Sequence, residues 1–214
     1  MYKKNLYDAN DYKHDVIKKS TNAKLGKKIL KGIWKNHPMY TVTLEARATC
    51  TDECEHYLDC YDNNMPFAHR FKANQALIDK MAIELDKLDK KHPLGYVVRL
   101  HILGDFYSVN YVKWWKKQLQ TRPNLKIYGY SRNHVTSKYA KVRSIAKEIV
   151  KVREQFSDRF KIRFSNLPSD TLSANSEHVS TQGFTCPQQT GKTASCGTCG
   201  LCWTSNKPVI FLDH

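Results

Sequence analysis

No stretch of this 214-residue chain is apolar for the length a membrane span requires, which argues against a helical membrane protein. The opening residues, MYKKNLYDAND, lack the apolar core of a secretion signal, so a cytoplasmic protein is expected. There is no internal repeat and no low-complexity tract. Acidic residues are scarce beside basic ones, 20 against 35, and the formal charge is +15. That excess favours an anionic partner, nucleic acid ahead of a membrane surface, with a general solubility bias as the plainer alternative. Residues 1–37 alone hold ten Lys and three Asp. At 41% hydrophobic and 11% aromatic the chain can bury a core, and its length suits one domain with a small appended module.

Cysteine is absent between residues 60 and 186, and the seven present form two groups. Cys50, Cys54 and Cys60 read C-x3-C-x5-C. Cys186, Cys196, Cys199 and Cys202 read C-x9-C-x2-C-x2-C. In a cytoplasmic chain such clusters, here of seven cysteines in all, point to metal more than to disulfides. Three thiolates on one loop suit an iron–sulfur cluster with an open iron, or zinc with an outside ligand such as His56 or His69. In the second group Gly197 and Gly200 let the backbone wrap closely around a centre, with iron–sulfur ahead of zinc. Buried cysteines without metal are the bland alternative for the first group.

Periodicity gives three segments: a basic lead-in (1–37), an α/β core with the first Cys loop (38–175), and a Cys-rich segment with a closing strand (176–214). The stretch KLGKKILKGIW suits a short basic helix with Leu25, Ile29, Ile33 and Trp34 on one side. Tyr40–Arg47 alternates as a strand, and Phe71–Lys91 carries Leu77, Met81, Leu85 and Leu88 at helical spacing. Tyr96–Leu103 is a β-rich run ending at Gly104-Asp105. Ser108 caps a helix with Val112, Trp115 and Leu119 on one face. Leu125–Tyr130 alternates again. Ser137 is a candidate cap for a helix through Val142, Ile145, Ile149, Val152 and Phe156. Lys161–Phe164 starts a further strand, HVSTQGF is a candidate strand, and PVIFLDH closes the chain. Alternation of this kind specifies a parallel sheet with right-handed crossovers.

Ligands of such sheets lie at the carboxyl ends of the strands. The unusual polar residues fall there: Cys50, then Gly104-Asp105, then Ser131-Arg132, then Ser165-Asn166. Each pair alone is an ordinary turn, whereas four on one rim make a site. His101, inside a strand, is read as a satisfied half-buried histidine rather than a ligand, and Trp114-Trp115 as core and helix flank rather than a base-stacking platform. Lys141, Arg143, Lys147, Lys151 and Arg153 form a solvated helix face, with a phosphate-binding stripe as the alternative.

The segments TLEARATCTDECEHYLDCYDNNMPFAHR, RLHILGDFYS, IRFSN and CPQQTGKTASCGTCGLCW resemble the phage and mobile-element "gene product 88" family over most of residues 40–214. The layout is also similar to radical S-adenosylmethionine (SAM) enzymes. That resemblance implies a partial (β/α) barrel with parallel strands and a [4Fe–4S] cluster on Cys50, Cys54 and Cys60. It further implies SAM on the open iron, Leu103-Gly104-Asp105 in place of a Gly-Gly-Glu motif, and Asp105 facing the SAM amino group. Ser131, Arg132, Ser165 and Asn166 would contact carboxylate and ribose, and the four late cysteines would hold an auxiliary cluster. The last gap of the cysteine motif is five residues where the radical SAM pattern has two, and the acid is Asp where that pattern has Glu. The expected function is a radical-SAM-like enzyme on a nucleic acid or nucleotide, served by an electron donor. The alternative is a zinc- or iron–sulfur-stabilised nucleic-acid-binding protein of phage or plasmid origin.

Overall fold

Runs of Val, Ile, Leu and aromatic residues set between amphipathic segments place every second strand residue against a helix. In the computed structural model, which describes residues 5–212, that alternation gives a largely parallel sheet with helices. The strands are β1 (Leu6–Tyr7), β2 (Lys18–Lys19), β3 (Met39–Thr41), β4 (Arg70–Phe71), β5 (Tyr96–Leu100), β6 (Leu125–Ser131), β7 (Phe160–Ser165), β8 (Ser173–Ser176), β9 (Phe184–Thr185) and β10 (Val209–Phe211). The helices are α1 (Gln75–Lys91), α2 (Val109–Thr121), α3 (Ala140–Gln155) and the single turns α4 (Cys196–Cys199) and α5 (Leu201–Thr204).

The main sheet runs β2-β3-β5-β6-β7-β8-β10-β9, and only β2 is antiparallel to its neighbour. All three expected segments contribute strands to it. From β3 to β8 the order moves one way through space, so right-handed crossovers put α1, α2 and α3 on the same face. The core agrees. Alternate residues Tyr96, Val98, Leu100, Ile127, Ile162 and Phe164 pack with the apolar stripes of those three helices. The opposite face turns Met39, Val97 and Tyr128 toward Leu25, Ile29, Trp34 and Trp203, a second and smaller core. The sheet does not close on itself among the described residues.

The helix stripes and the Ser108 cap follow the sequence expectation, with Ser108 Oγ accepting the Tyr111 N–H at 3.1 Å. Three expectations need correction, and one strand was not foreseen. The 24–34 stretch is not a helix. Gly26 and Gly32 take φ of 82° and 77°, and the backbone there bonds outward, with Leu30 N–H reaching Gly197 O at 2.8 Å. Ile33 is accordingly 67% exposed while Ile29 is buried. Helix α3 starts from Tyr139 with no side-chain cap, and Ser137 Oγ instead donates to Glu53. Of HVSTQGF only Phe184 enters a strand. Strand β8, SANS, has no apolar alternation to betray it and is held by parallel pairing with β7 and β10.

Candidate functional site at the strand ends

The first Cys loop leaves the sheet just beyond β3, where Val42 and Leu44 still bond to Arg99 and Leu103. Gly104 fixes its approach. At φ 82°, a β-carbon there would lie 2.5 Å from Thr49 Oγ1 and 2.7 Å from Leu44 Cβ. The loop is stiffened from within. Arg47, itself at φ 63°, donates to Tyr57 O at 3.0 Å and to Asn63 Oδ1 at 2.6 Å. Buried Asp62 joins Arg47 to Arg70, whose Nε donates to it at 2.7 Å.

From outside, three acidic residues tie the loop to the ends of β6 and β7, a set that sequence reasoning missed. Glu55 accepts Arg132 Nη2 at 3.0 Å and also Asn166 Nδ2. Glu53 accepts Ser137 Oγ and the Lys138 N–H, and Asp52 accepts Tyr139 O–H at 2.9 Å. The TDECE run carried the signal: acids packed among thiols need cations or donors opposite them.

Cys50, Cys54 and Cys60 are free and half-buried and lie within electrostatic reach of one another, Cys50 and Cys54 also of Asp105. Burial first, then the Asp105 charge, pushes the Cys50 thiol up to about 12. Burial also raises Cys54, against the pull of Arg132. Of the two candidate outside ligands, His69 has its Nδ1 engaged by Tyr12 O–H at 2.6 Å and Lys18 Nζ at 3.0 Å. His56 is mostly exposed and pairs with Asp59.

The rim residues divide into two layers. Asp105 is buried, accepting the Phe106 N–H at 2.6 Å and the Arg132 N–H at 2.7 Å, with Ser131 and Asn133 bonded to it as well. Burial nevertheless raises its carboxyl to about 6. Asp105 and Ser131, expected to contact a cofactor, are thus turned into a network that joins the ends of β5 and β6. Arg132 and Asn166 form the outer layer with Glu55. Asn166 sits at φ 52°, with Oδ1 on the Ser176 N–H at 2.7 Å. Arg132 Nε is buried with no hydrogen-bond partner. His134, also missed from sequence, contacts Arg132 Nη1 at 2.6 Å and the Ser165 carbonyl at 2.5 Å. Burial, then Arg132, lowers its pKa. His101, expected as a satisfied half-buried strand residue, instead lies just past β5 at φ 55°, buried beside Phe106 and Tyr111 with Nδ1 lacking a hydrogen-bond partner.

The late cysteines lie on the opposite sheet face from α1–α3. Cys186, Cys196, Cys199 and Cys202 all line one pocket with an interior of about 10 Å³. Ser195 caps α4 by accepting the Thr198 N–H at 3.2 Å, and Gly200 at φ 75° turns the chain into α5. Lys24 O and Leu25 O accept the Cys196 and Gly197 N–H groups, so the lead-in braces this loop. Burial pushes Cys196 up to about 12 and raises Cys202, whose Sγ is 3.0 Å from Tyr130 O–H.

Among the described residues, no three His, Cys, Asp or Glu side chains are gathered at the spacing that holds a metal ion. The donor set still suits a soft metal, being thiols without carboxylates in the second group. The pocket interior has room for about one water-sized particle. That size is nearer to a single ion than to a four-iron cluster.

No helix among the described residues is long and apolar enough to cross a membrane. No curated protein and no solved structure matches the chain. The profile of the Gene product 88 family matches residues 15–205, which include both cysteine groups and the whole strand-end rim, and the chain belongs to that family.

Proposed function

We propose that this protein is an iron–sulfur enzyme of radical-SAM-like layout, cytoplasmic, acting on a nucleic acid or nucleotide. The observation that carries the reading is the rim itself. The free thiols of Cys50 and Cys54 lie within electrostatic reach of Cys60 and Asp105, and that of Cys54 also of Arg132, in the loops that follow consecutive parallel strands. The sequential strand order is that of part of a (β/α) barrel, although the sheet is open.

Cys50, Cys54 and Cys60 would hold a [4Fe–4S] centre. When bound there it supplies single electrons for reductive cleavage of SAM, taken from an electron donor. The chain's own residues do the placing. Arg132 offers a buried, unpartnered Nε–H to an anionic group such as the SAM carboxylate. Asn166 and Ser165 stand next along the rim. Gly104 keeps the backbone close to the Cys loop, and Asp105 positions Arg132 through its backbone N–H. Exposed Lys138, Lys141, Lys147 and Lys151 beside α3 supply phosphate contacts.

A second reading is favoured by the late cysteines. Their small pocket and the bracing by Lys24 and Leu25 suit a structural zinc in a non-catalytic nucleic-acid-binding protein. Anaerobic purification separates the two. The enzyme reading expects brown protein with about four or eight irons per chain, and deoxyadenosine formed from SAM after reduction. Cys50→Ala abolishes that product. Colourless protein holding only zinc sinks the enzyme reading.

A further inference from the structure

The sheet face under the C-terminal Cys loop carries two buried cations that no carboxylate pairs among the described residues. Arg163 is 1% exposed and gives its donors to carbonyls, including Cys202 O at 2.9 Å, Lys207 O at 2.9 Å and Ser205 O at 2.5 Å. Arg99 is 9% exposed and donates to the Leu100 and His101 carbonyls. Its guanidinium lies 4.6 Å from the ring centre of Tyr130 and 5.5 Å from that of Tyr128. Neither arginine forms an ion pair with a carboxylate among the described residues. Asp170, the acid whose charge reaches Arg163, is taken by Arg153 in a two-oxygen grip.

Carbonyls and rings solvate a buried cation but do not neutralise it, and buried charges are as a rule paired. The groups beside these arginines are thiols. Arg163 grips the Cys202 carbonyl, and Tyr130, beneath Arg99, points its hydroxyl at Cys202 Sγ. Tyr128, the other ring under Arg99, belongs to the small core against which Cys196 and Cys202 pack. Four thiolates around a divalent ion, or around an oxidised four-iron cluster, make a dianion. Two guanidiniums balance it.

We propose that Arg99 and Arg163 are the counter-charges of a dianionic metal–tetrathiolate centre held by Cys186, Cys196, Cys199 and Cys202. The inference rests on the reading of those cysteines as metal ligands. Arg163 also fastens the loop through its bonds to the carbonyls. Arg99 makes no hydrogen bond to the loop, so its effect on the centre is through charge.

The test uses the full chain with Cys50, Cys54 and Cys60 replaced by Ser, so that only the late cysteines can load. It is loaded in parallel with cobalt(II) and with iron plus sulfide, and release of the retained metal to a chelator is timed. Arg99→Gln keeps a donor for the Leu100 and His101 carbonyls and removes the charge. Arg99→Met is a second neutral variant should the first misfold, and Arg99→Lys restores the charge. The expected result is metal release at least about tenfold faster in the neutral variant, with Arg99→Lys within about threefold of the parent. Equal release from the folded neutral variant overturns the counter-charge role while the metal site stands. So does a Lys variant that behaves like the neutral one. If the parent retains neither metal, or retains as much after Cys196→Ser and Cys199→Ser, the metal-ligand reading itself falls and takes the inference with it.

Discussion

The Asp105 carboxylate accepts the backbone N–H of Arg132 at 2.7 Å, which ties the end of β5 to the end of β6 inside the protein. Phe106 N–H, Ser131 and Asn133 complete the ring of partners. Asp105→Asn turns an amide NH₂ toward these donors. We expect a loss of about 1–3 kcal/mol in urea unfolding at pH 7, the usual cost of a buried unsatisfied group. The pH dependence gives the sign. The folded pKa of about 6 lies above the 3.8 of a free aspartate, so the native state binds the extra proton. The stability this contributes is full below about pH 4 and gone above about pH 6. The gap between wild type and variant therefore widens on acidification through that window. A constant gap would mean that Asp105 does not titrate there.

Gly104→Ala sets a methyl group against Thr49 and Leu44 and strains a φ of 82°. A destabilisation of about 1–3 kcal/mol is expected, together with lower iron per chain, because Thr49 adjoins Cys50. Thermal unfolding and iron analysis of one preparation check both. Unchanged iron in a destabilised variant would detach the Cys loop from this close approach.

Glu55→Gln removes a carboxylate that is largely in solvent, so its bridge to Arg132 is worth under about 1 kcal/mol to stability. Iron loading is the more sensitive readout, since the loop loses its hold on Arg132 and Asn166. With the late cysteines blocked by Cys196→Ser and Cys199→Ser, iron per chain should fall at unchanged melting temperature. Full loading would leave the bridge without a role in the site.

The helix α3 stripe is narrower than its sequence suggests. Arg153 is spent on Asp170, and Arg143 donates to the Ser137 and Lys138 carbonyls. Lys141, Lys147 and Lys151 remain exposed. Replacing these three with Gln should weaken single-stranded nucleic-acid binding most at low salt. The slope of log affinity against log salt should shrink by about 0.7 for each phosphate that the variant no longer neutralises. An unchanged slope in a filter-binding titration would place phosphate binding elsewhere on the molecule.

The rim was legible in outline because strand ends can be read from where apolar alternation stops. Ser131-Arg132 and Ser165-Asn166 stand at the ends of β6 and β7, whereas β3 stops at Thr41 and β5 at Leu100, so Cys50 and Gly104-Asp105 lie in the loops beyond them. Their orientation was not legible. Asp105 and Arg132 read alike as polar turn residues, yet one faces the network and the other the loop. Glu55 and His134 carry no motif, and they matter because the chain folds back to place them beside Arg132.

By itself the sequence determined the three long helices, the parallel order of the central strands and the two thiol groups. Period, caps and cysteine spacing are local, and they act through neighbours a few residues away. Tertiary structure alone decided that the basic lead-in is an irregular brace, that SANS is a strand, and that Arg99 and Arg163 share a sheet face with Cys196 and Cys202. Those outcomes depend on hydrogen bonds and charges between residues far apart in the chain. Such pairings satisfy buried polar groups only once the sheet has brought the partners together.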